Sequence, residues 1–249
     1  MNQIAENSPQ RELLLCIPGP WKDRSDLVRA VISETKGEFM FAGMILANPG
    51  KKDHVPLDFA PHDPQMRQAF ELAGQRKLPV QLLDRIGGHL SVAYLHFPVR
   101  IIDEKERVIT FTKVLERCGG LAVKIESAGV AHEWSHWFAA LSSENPFDLY
   151  RTFVTLIGDT NHYYSCGMHH FGLPDVEIDR AIEMNEAADV MNRFNYWQIV
   201  EAPKLAAGHT FSVSPDAPRY RLSQGRDSRH EPPEFFHNSS GLWNLKKIT

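Results

Sequence analysis

Three things are scarce in this chain, and each scarcity removes a class of proteins. Only three cysteines occur in 249 residues, Cys16, Cys118 and Cys166. An odd, widely spaced set cannot supply the disulfide framework of a small secreted fold, so a reducing, cytoplasmic setting is expected. Long hydrophobic runs are also lacking. No apolar stretch approaches the roughly 20 residues of a membrane span, and the polar start from Met1 to Glu12 has no export-signal pattern. Charge of a single sign is the third shortage. The net charge is −4, from 27 basic and 31 acidic residues without long runs of either, which leaves no footprint for nucleic acid or an anionic membrane, and neither is expected as a partner.

What the chain has in quantity is core material, with 43% hydrophobic side chains, enough for one α+β domain over 1–249 or for two tightly packed halves with a boundary near 143–150. Leu13 to Ile17 is an unbroken apolar run closed by Pro18-Gly19-Pro20, the pattern of a strand buried on both faces at a sheet centre. A helix from about Ser25, a strand over Phe39 to Ala47 and an edge strand over His54 to Phe59 follow, the last suited to Pro56 because proline removes a ladder donor. Helices are expected from Pro64 to Ala73, Pro79 to Ile86 and Asp103 to Cys118, with a strand from His89 to Phe97. Phe147 to Phe153 reads as helix, Val154 to Ile157 as strand and Ile178 to Val200 as one long helix. Short strands over 209–213, 219–222 and 242–245 close the chain, with a mobile Pro-rich loop over 224–240. The order predicts mixed sheets packed against amphipathic helices in repeated strand-helix units, an α+β fold.

The stretch from Leu121 to Leu141 carries the sharpest motif. Leu121, Val123 and Ile125 alternate with Ala122, Lys124 and Glu126 as a half-buried strand does, and Ser127-Ala128-Gly129 releases the chain. Val130, Trp134, Trp137, Phe138 and Leu141 then fall on one helical stripe. On that reading Trp134 and Phe138 are buried, while His132 is exposed on the opposite side. The same helix would carry His132-Glu133-Trp134-Ser135-His136, an H-E-x-x-H arrangement in which His132 and His136 hold zinc, Glu133 acts as base and Glu186 supplies a third ligand. Against this stands a solvated helix face, because no segment is identifiable as the far wall of a cleft.

The second unusual stretch runs from His162 to Asp175 and is expected to be a strand leading into a loop. Cys166 and His169 could form a thiol–base or metal-ligand pair, but the spacing has no signature, and packing explains the glycines and aromatics. Lys22, Asp23 and Arg24 could hold an anion, though no Gly-rich phosphate signature accompanies them. Candidate binding residues are Trp21, Arg24, Tyr164, Cys166 and His169, and Cys166 is the thiol expected to be reactive.

Taken together, Ile17-Pro18-Gly19-Pro20-Trp21-Lys22-Asp23-Arg24, Phe41-Ala42-Gly43, Gly119 to Glu126, Tyr164-Ser165-Cys166-Gly167-Met168-His169 and Gly208-His209-Thr210-Phe211-Ser212 resemble an uncharacterised bacterial family built around a domain of unknown function. In that resemblance the pattern includes Ala131-His132 and Trp137 but not His136. Proteins of this kind are similar to small bacterial immunity and accessory proteins that act by binding a partner. The first expectation is therefore a cytosolic, non-catalytic protein that binds another protein and needs no cofactor. The alternative is a zinc-dependent hydrolase.

Overall fold

A computed structural model describes residues 12–98, 100–232 and 234–248. The elements in order are β1 (Glu12–Gly19), α1 (Arg24–Glu34), β2 (Met40–Ala42), β3 (Ile45–Asn48), β4 (Asp53–Pro61), α2 (Met66–Ala73), α3 (Val80–Gly87), β5 (Ser91–Pro98) and α4 (Ile101–Arg117). They continue with β6 (Val123–Ile125), β7 (Val130–His132), α5 (Trp134–Ser142), α6 (Pro146–Phe153), β8 (Thr155–Gly158) and β9 (His162–Cys166). The chain closes with β10 (Asp175–Asp179), α7 (Met184–Glu201), β11 (Thr210–Phe211), β12 (Arg219–Gly225) and β13 (Leu242–Ile248). This is an α+β fold with two sheets.

The first sheet has the strand order β2-β3-β4-β5-β1-β6-β7 and is antiparallel throughout. As its unbroken apolar run predicts, β1 lies in the interior between β5 and β6. One face of the sheet turns Leu13, Leu15 and Ile17 to a core shared with Leu27, Phe111, Leu115 and Trp137 of the helices α1, α4 and α5. Cys16 faces the other way, into a smaller core with Met66, Phe70, Leu83 and Ile86 of α2 and α3. Strand β4 is interior rather than an edge, but it pairs with β3 only over Asp53 to Pro56 and with β5 only from Leu57 onward. Pro56 thus sits where one side of the strand is unpaired and its missing donor costs no ladder bond.

The second sheet, in the order β11-β12-β13-β10-β9-β8, is antiparallel except for the parallel pair β10 and β13. Helix α7 covers one face and packs Ala187, Val190, Met191 and Phe194 on Val176, Ile178, Tyr220, Leu222 and Trp243. The long helix expected from Ile178 is therefore a strand followed by a shorter helix. Met184, the first residue of that helix, is 59% exposed. The segment over 224–240, expected to be mobile, is pinned: Arg229 reaches Asp159 and Glu177 at 2.8 Å each and stacks 4.2 Å above Tyr164. Its guanidinium holds the Asp159 carboxyl well below the usual range.

Helix α6 joins the two sheets, burying Leu149 and Phe153 in the first core and donating from the Tyr150 hydroxyl to Asn192 of α7 at 2.8 Å. The return of β9 passes so close to α6 that Gly167, at φ +123, leaves no space for a Cβ, which would lie 2.1 Å from the Phe153 carbonyl oxygen. No helix among the described residues is long and apolar enough to cross a membrane.

Candidate functional site

The H-E-x-x-H segment is not one helix. After a turn with Gly129 at φ +64, residues Val130 to His132 pair back onto Val123 to Ile125 as β7, and α5 starts only at Trp134. Strand pairing satisfies backbone groups that a longer helix would have left at its end, so tertiary pairing overrides the helical spacing of Val130 and Trp134. The consequence is a reversal of the expected burial. Trp137 is fully buried, Trp134 and Phe138 are half-buried, and His132 is only 8% exposed.

His132 holds its Nε2 2.9 Å from the carbonyl oxygen of Thr152. A carbonyl can only accept, so Nε2 carries the proton and Nδ1 the lone pair. Burial pushes its pKa down to about 4, and the ring is neutral at physiological pH. His136 is exposed on the first turn of α5 and stacks on His132, ring centroids 4.9 Å apart with planes inclined by 27°. Glu133 occupies the exposed N-cap position. Imidazole lone pairs lie in the ring planes, so two stacked rings hold them in offset, near-parallel planes rather than aimed at a shared point.

Glu186, the expected third ligand, is committed elsewhere. Its carboxylate accepts from the Tyr220 hydroxyl at 2.7 Å and from Lys247 at 2.6 Å, on the second sheet. Among the described residues no group of three or more His, Cys, Asp or Glu is arranged to hold a metal ion.

The histidine pair nevertheless opens onto a large cleft, about 1210 Å³ in volume. Its walls come from the α2–α3 connection with Lys77, Leu78 and Pro79, from β7, from the outer face of α5, and from α6 and β8. This supplies the far wall that the sequence leaves unidentified. Arg151 and Lys77 bring positive charge, Glu133 and Asp148 negative, and Phe147 and Leu78 apolar surface. Asp148 accepts the Ser143 hydroxyl at 2.6 Å. Lys77 and Arg151 carried no sequence signal, because nothing along the chain marks which of 27 basic residues face a cleft.

The candidate binding residues are not brought together. Trp21 is 2% exposed and donates Nε1 to the Cys118 carbonyl at 2.8 Å, which makes it a core residue. Arg24 is exposed and lies 4.3 Å above the Phe41 ring. Tyr164 is half-buried beneath Arg229. Cys166 and His169 are 3% and 2% exposed and lie inside the fold. The expectation of a reactive Cys166 is corrected on that ground. Burial raises the thiols of Cys166 and Cys16 and pushes Cys118 up to about 12. None of the three is expected to react with a thiol reagent before denaturant is added, and rapid labelling of the native protein at Cys166 would contradict this placement.

Two buried polar groups escaped sequence reading. The Ser127 hydroxyl lies 3.0 Å from Nε2 of His170, both inside the first core, where burial holds the imidazole neutral. Asp175 accepts from the Ser165 hydroxyl at 2.8 Å, the Met168 amide at 3.2 Å and the Asn238 amide at 2.6 Å, thereby fastening β10 to β9 and to the segment before β13. Neither group opens into the large cleft.

Comparison with curated proteins and with solved structures finds no match. One family does match. It covers 164–236, from within β9 to the segment that carries Arg229, and so includes the Tyr164-Ser165-Cys166-Gly167-Met168-His169 and Gly208-His209-Thr210-Phe211-Ser212 segments but not the motifs of the first sheet. Part of the second sheet, from within β9 through β12, thus matches an uncharacterised family, described as Domain of unknown function (DUF4261).

Proposed function

We propose that the protein is a non-catalytic binding protein, of immunity or accessory type, that receives part of a partner protein in the cleft between its two sheets. The observation that carries this reading is the size of the cleft. At about 1210 Å³ it exceeds the 300–1,000 Å³ usual for small-molecule pockets, and its lining mixes charge, amide and apolar groups from several separate segments, as a polypeptide site requires. A zinc hydrolase is the second reading. In its favour, His132 gives one ring N–H to a backbone carbonyl, the support that metal-ligating histidines receive.

Ala139 is exposed in the cleft on α5, so Ala139→Trp fills the space without touching a core. A partner recovered from the source cells, identified and then purified, is expected to bind this variant at least tenfold more weakly, about 1.4 kcal/mol. Undiminished binding would remove the cleft from the reading. One equivalent of zinc in the protein as isolated, lost in His136→Ala, would favour the hydrolase instead.

A further inference from the structure

We infer that the partner enters as an extended peptide strand, pairing with the free edge of β8 and placing an acidic side chain near Lys77 and Arg151. This rests on the binding reading above and specifies its chemistry. Among the described residues strand β8 ends the second sheet and β7 ends the first, and both line the cleft. An edge strand presents unpaired N–H and C=O groups to whatever lies beside it. Which groups these are follows from pairing parity. The Asp159 amide donates to the His162 carbonyl at 2.9 Å and closes the β8–β9 hairpin. In an antiparallel pair, bonded and non-bonded residue pairs alternate, so with Ile157 opposite Tyr164 and Leu156 opposite Ser165, Ile157 and Thr155 bond to β9. The other side of β9 agrees: Arg180 donates to the Asn161 carbonyl at 2.9 Å, which gives Tyr163 to β10 and leaves Tyr164 for β8. The backbone N–H and C=O of Leu156 therefore point off the sheet, and Leu156 lines the cleft.

The same parity turns Ala131 outward on β7, because the Glu126 amide bonds to the Leu14 carbonyl at 2.9 Å and leaves Ile125 and Val123 facing β7. That edge is closed. Ala131 is 4% exposed and packs in the core with α2. Strand β8 differs, being half-exposed at Thr155, Leu156 and Ile157 and exposed at Gly158. It carries no proline and no charged residue to deter pairing, and its guard is its length of four residues. Four residues span about 13 Å, enough to direct a short peptide by main-chain bonds with alternate side chains lodged in the cleft. The α2–α3 connection approaches this strand directly, with Gln75 reaching Thr155 at 3.5 Å and Lys77 beside Gln75 at 3.0 Å. Arg151 lines the α6 side.

The probe is a phage-displayed library of random ten-residue peptides, selected on the full chain, with the enriched peptides synthesised and measured by calorimetry. Enrichment of Asp or Glu is expected, with affinity reduced at least fivefold by Lys77→Glu. Leu156→Pro removes the outward N–H and no ladder bond, and Leu156→Ala controls for the lost side chain. The proline variant is expected to bind at least tenfold more weakly than the alanine variant. N-methylation along the peptide, read on the unaltered protein, should weaken binding at every second residue, an arm that does not depend on any variant folding. Peptides that are displaced by Ala139→Trp yet indifferent to Leu156→Pro and to the methylation register would overturn strand pairing while leaving the cleft a binding site. Failure to enrich any peptide would overturn the inference as well, and the purified-partner assay would then decide the broader reading separately.

Discussion

Trp137→Ala is expected to lower the unfolding free energy by about 3 to 5 kcal/mol, the range for truncating a buried aromatic side chain. Trp137 is fully buried on α5 and donates Nε1 to the Thr112 hydroxyl at 3.2 Å. Its ring lies 5.6 Å from Phe153 and 6.2 Å from His132. Its removal would open a cavity between α4, α5 and α6 and leave the Thr112 hydroxyl with one partner fewer. Trp134→Ala should cost less, about 1 to 2 kcal/mol, because that side chain is only half-buried, lying against Phe138 with its Nε1 on the Gly120 carbonyl. Urea unfolding of both variants at one pH decides the matter. Equal losses, or the larger loss at Trp134, would mean that α5 is rotated from the orientation described.

The second large effect is one of pH. Asp175 ionises at an ordinary carboxylate value of 3.8 when unfolded, whereas burial raises its native pKa to about 7 despite three donors that favour the anion. Between those values the native state binds more protons than the unfolded state, so this group's contribution to stability falls as pH rises from about 4 to about 7. Buried His132 and His170 act in the opposite sense. Each is held neutral in the native state by burial, so their contribution is lost as pH falls below 6.5. Asp175→Asn leaves the histidine contribution and removes the carboxyl one. At pH 4 both side chains are neutral in the native state, and between pH 4 and 7.5 the wild type should lose about 3 to 4 kcal/mol relative to the variant, at roughly 1.4 kcal/mol per pKa unit. Paired denaturant titrations across that range measure the difference. A constant difference would show that the three donors keep Asp175 ionised in the native state throughout.

The elements legible in the sequence were those whose local pattern is long enough to exclude its rival. Leu13 to Ile17 is read as a strand buried on both faces and Phe147 to Phe153 as a short helix, and the structure has β1 over the first and α6, one residue longer at its start and capped by Asn145, over the second. Val130 to His132 is three residues long, too short to display alternation, and its spacing to Trp134 imitates a helix. The same ambiguity ran the end of β10 into α7, since Ile178 stands three residues before Ala181 and so imitates helical spacing. His132, Glu133 and His136 were found as a group, but for a geometry that the β6–β7 hairpin does not allow. The cleft itself could not be read from the chain. It assembles from residues 73–79, 130–156 and 192, and the outward direction of the Leu156 backbone depends on pairing with β9 rather than on any residue of β8.

The place of β13 also bears on how the protein is made. It lies between β10 and β12 in the sheet yet follows both in the chain, so its parallel bonds to β10 and antiparallel bonds to β12 form last. Roughly sixty residues separate the end of β10 from the start of β13, which at about 5 to 20 residues per second is on the order of 3 to 12 s of synthesis. By the end of that interval β10 and β12 have both been made while their central neighbour is absent and the seat of Trp243 on α7 is empty. The matched segment 164–236 stops before β13, so expressed alone it would remain in that unfinished state. A nascent chain arrested before Leu242 should therefore be a favoured client for a ribosome-bound chaperone, and all 249 residues held on the ribosome by an added linker should not be.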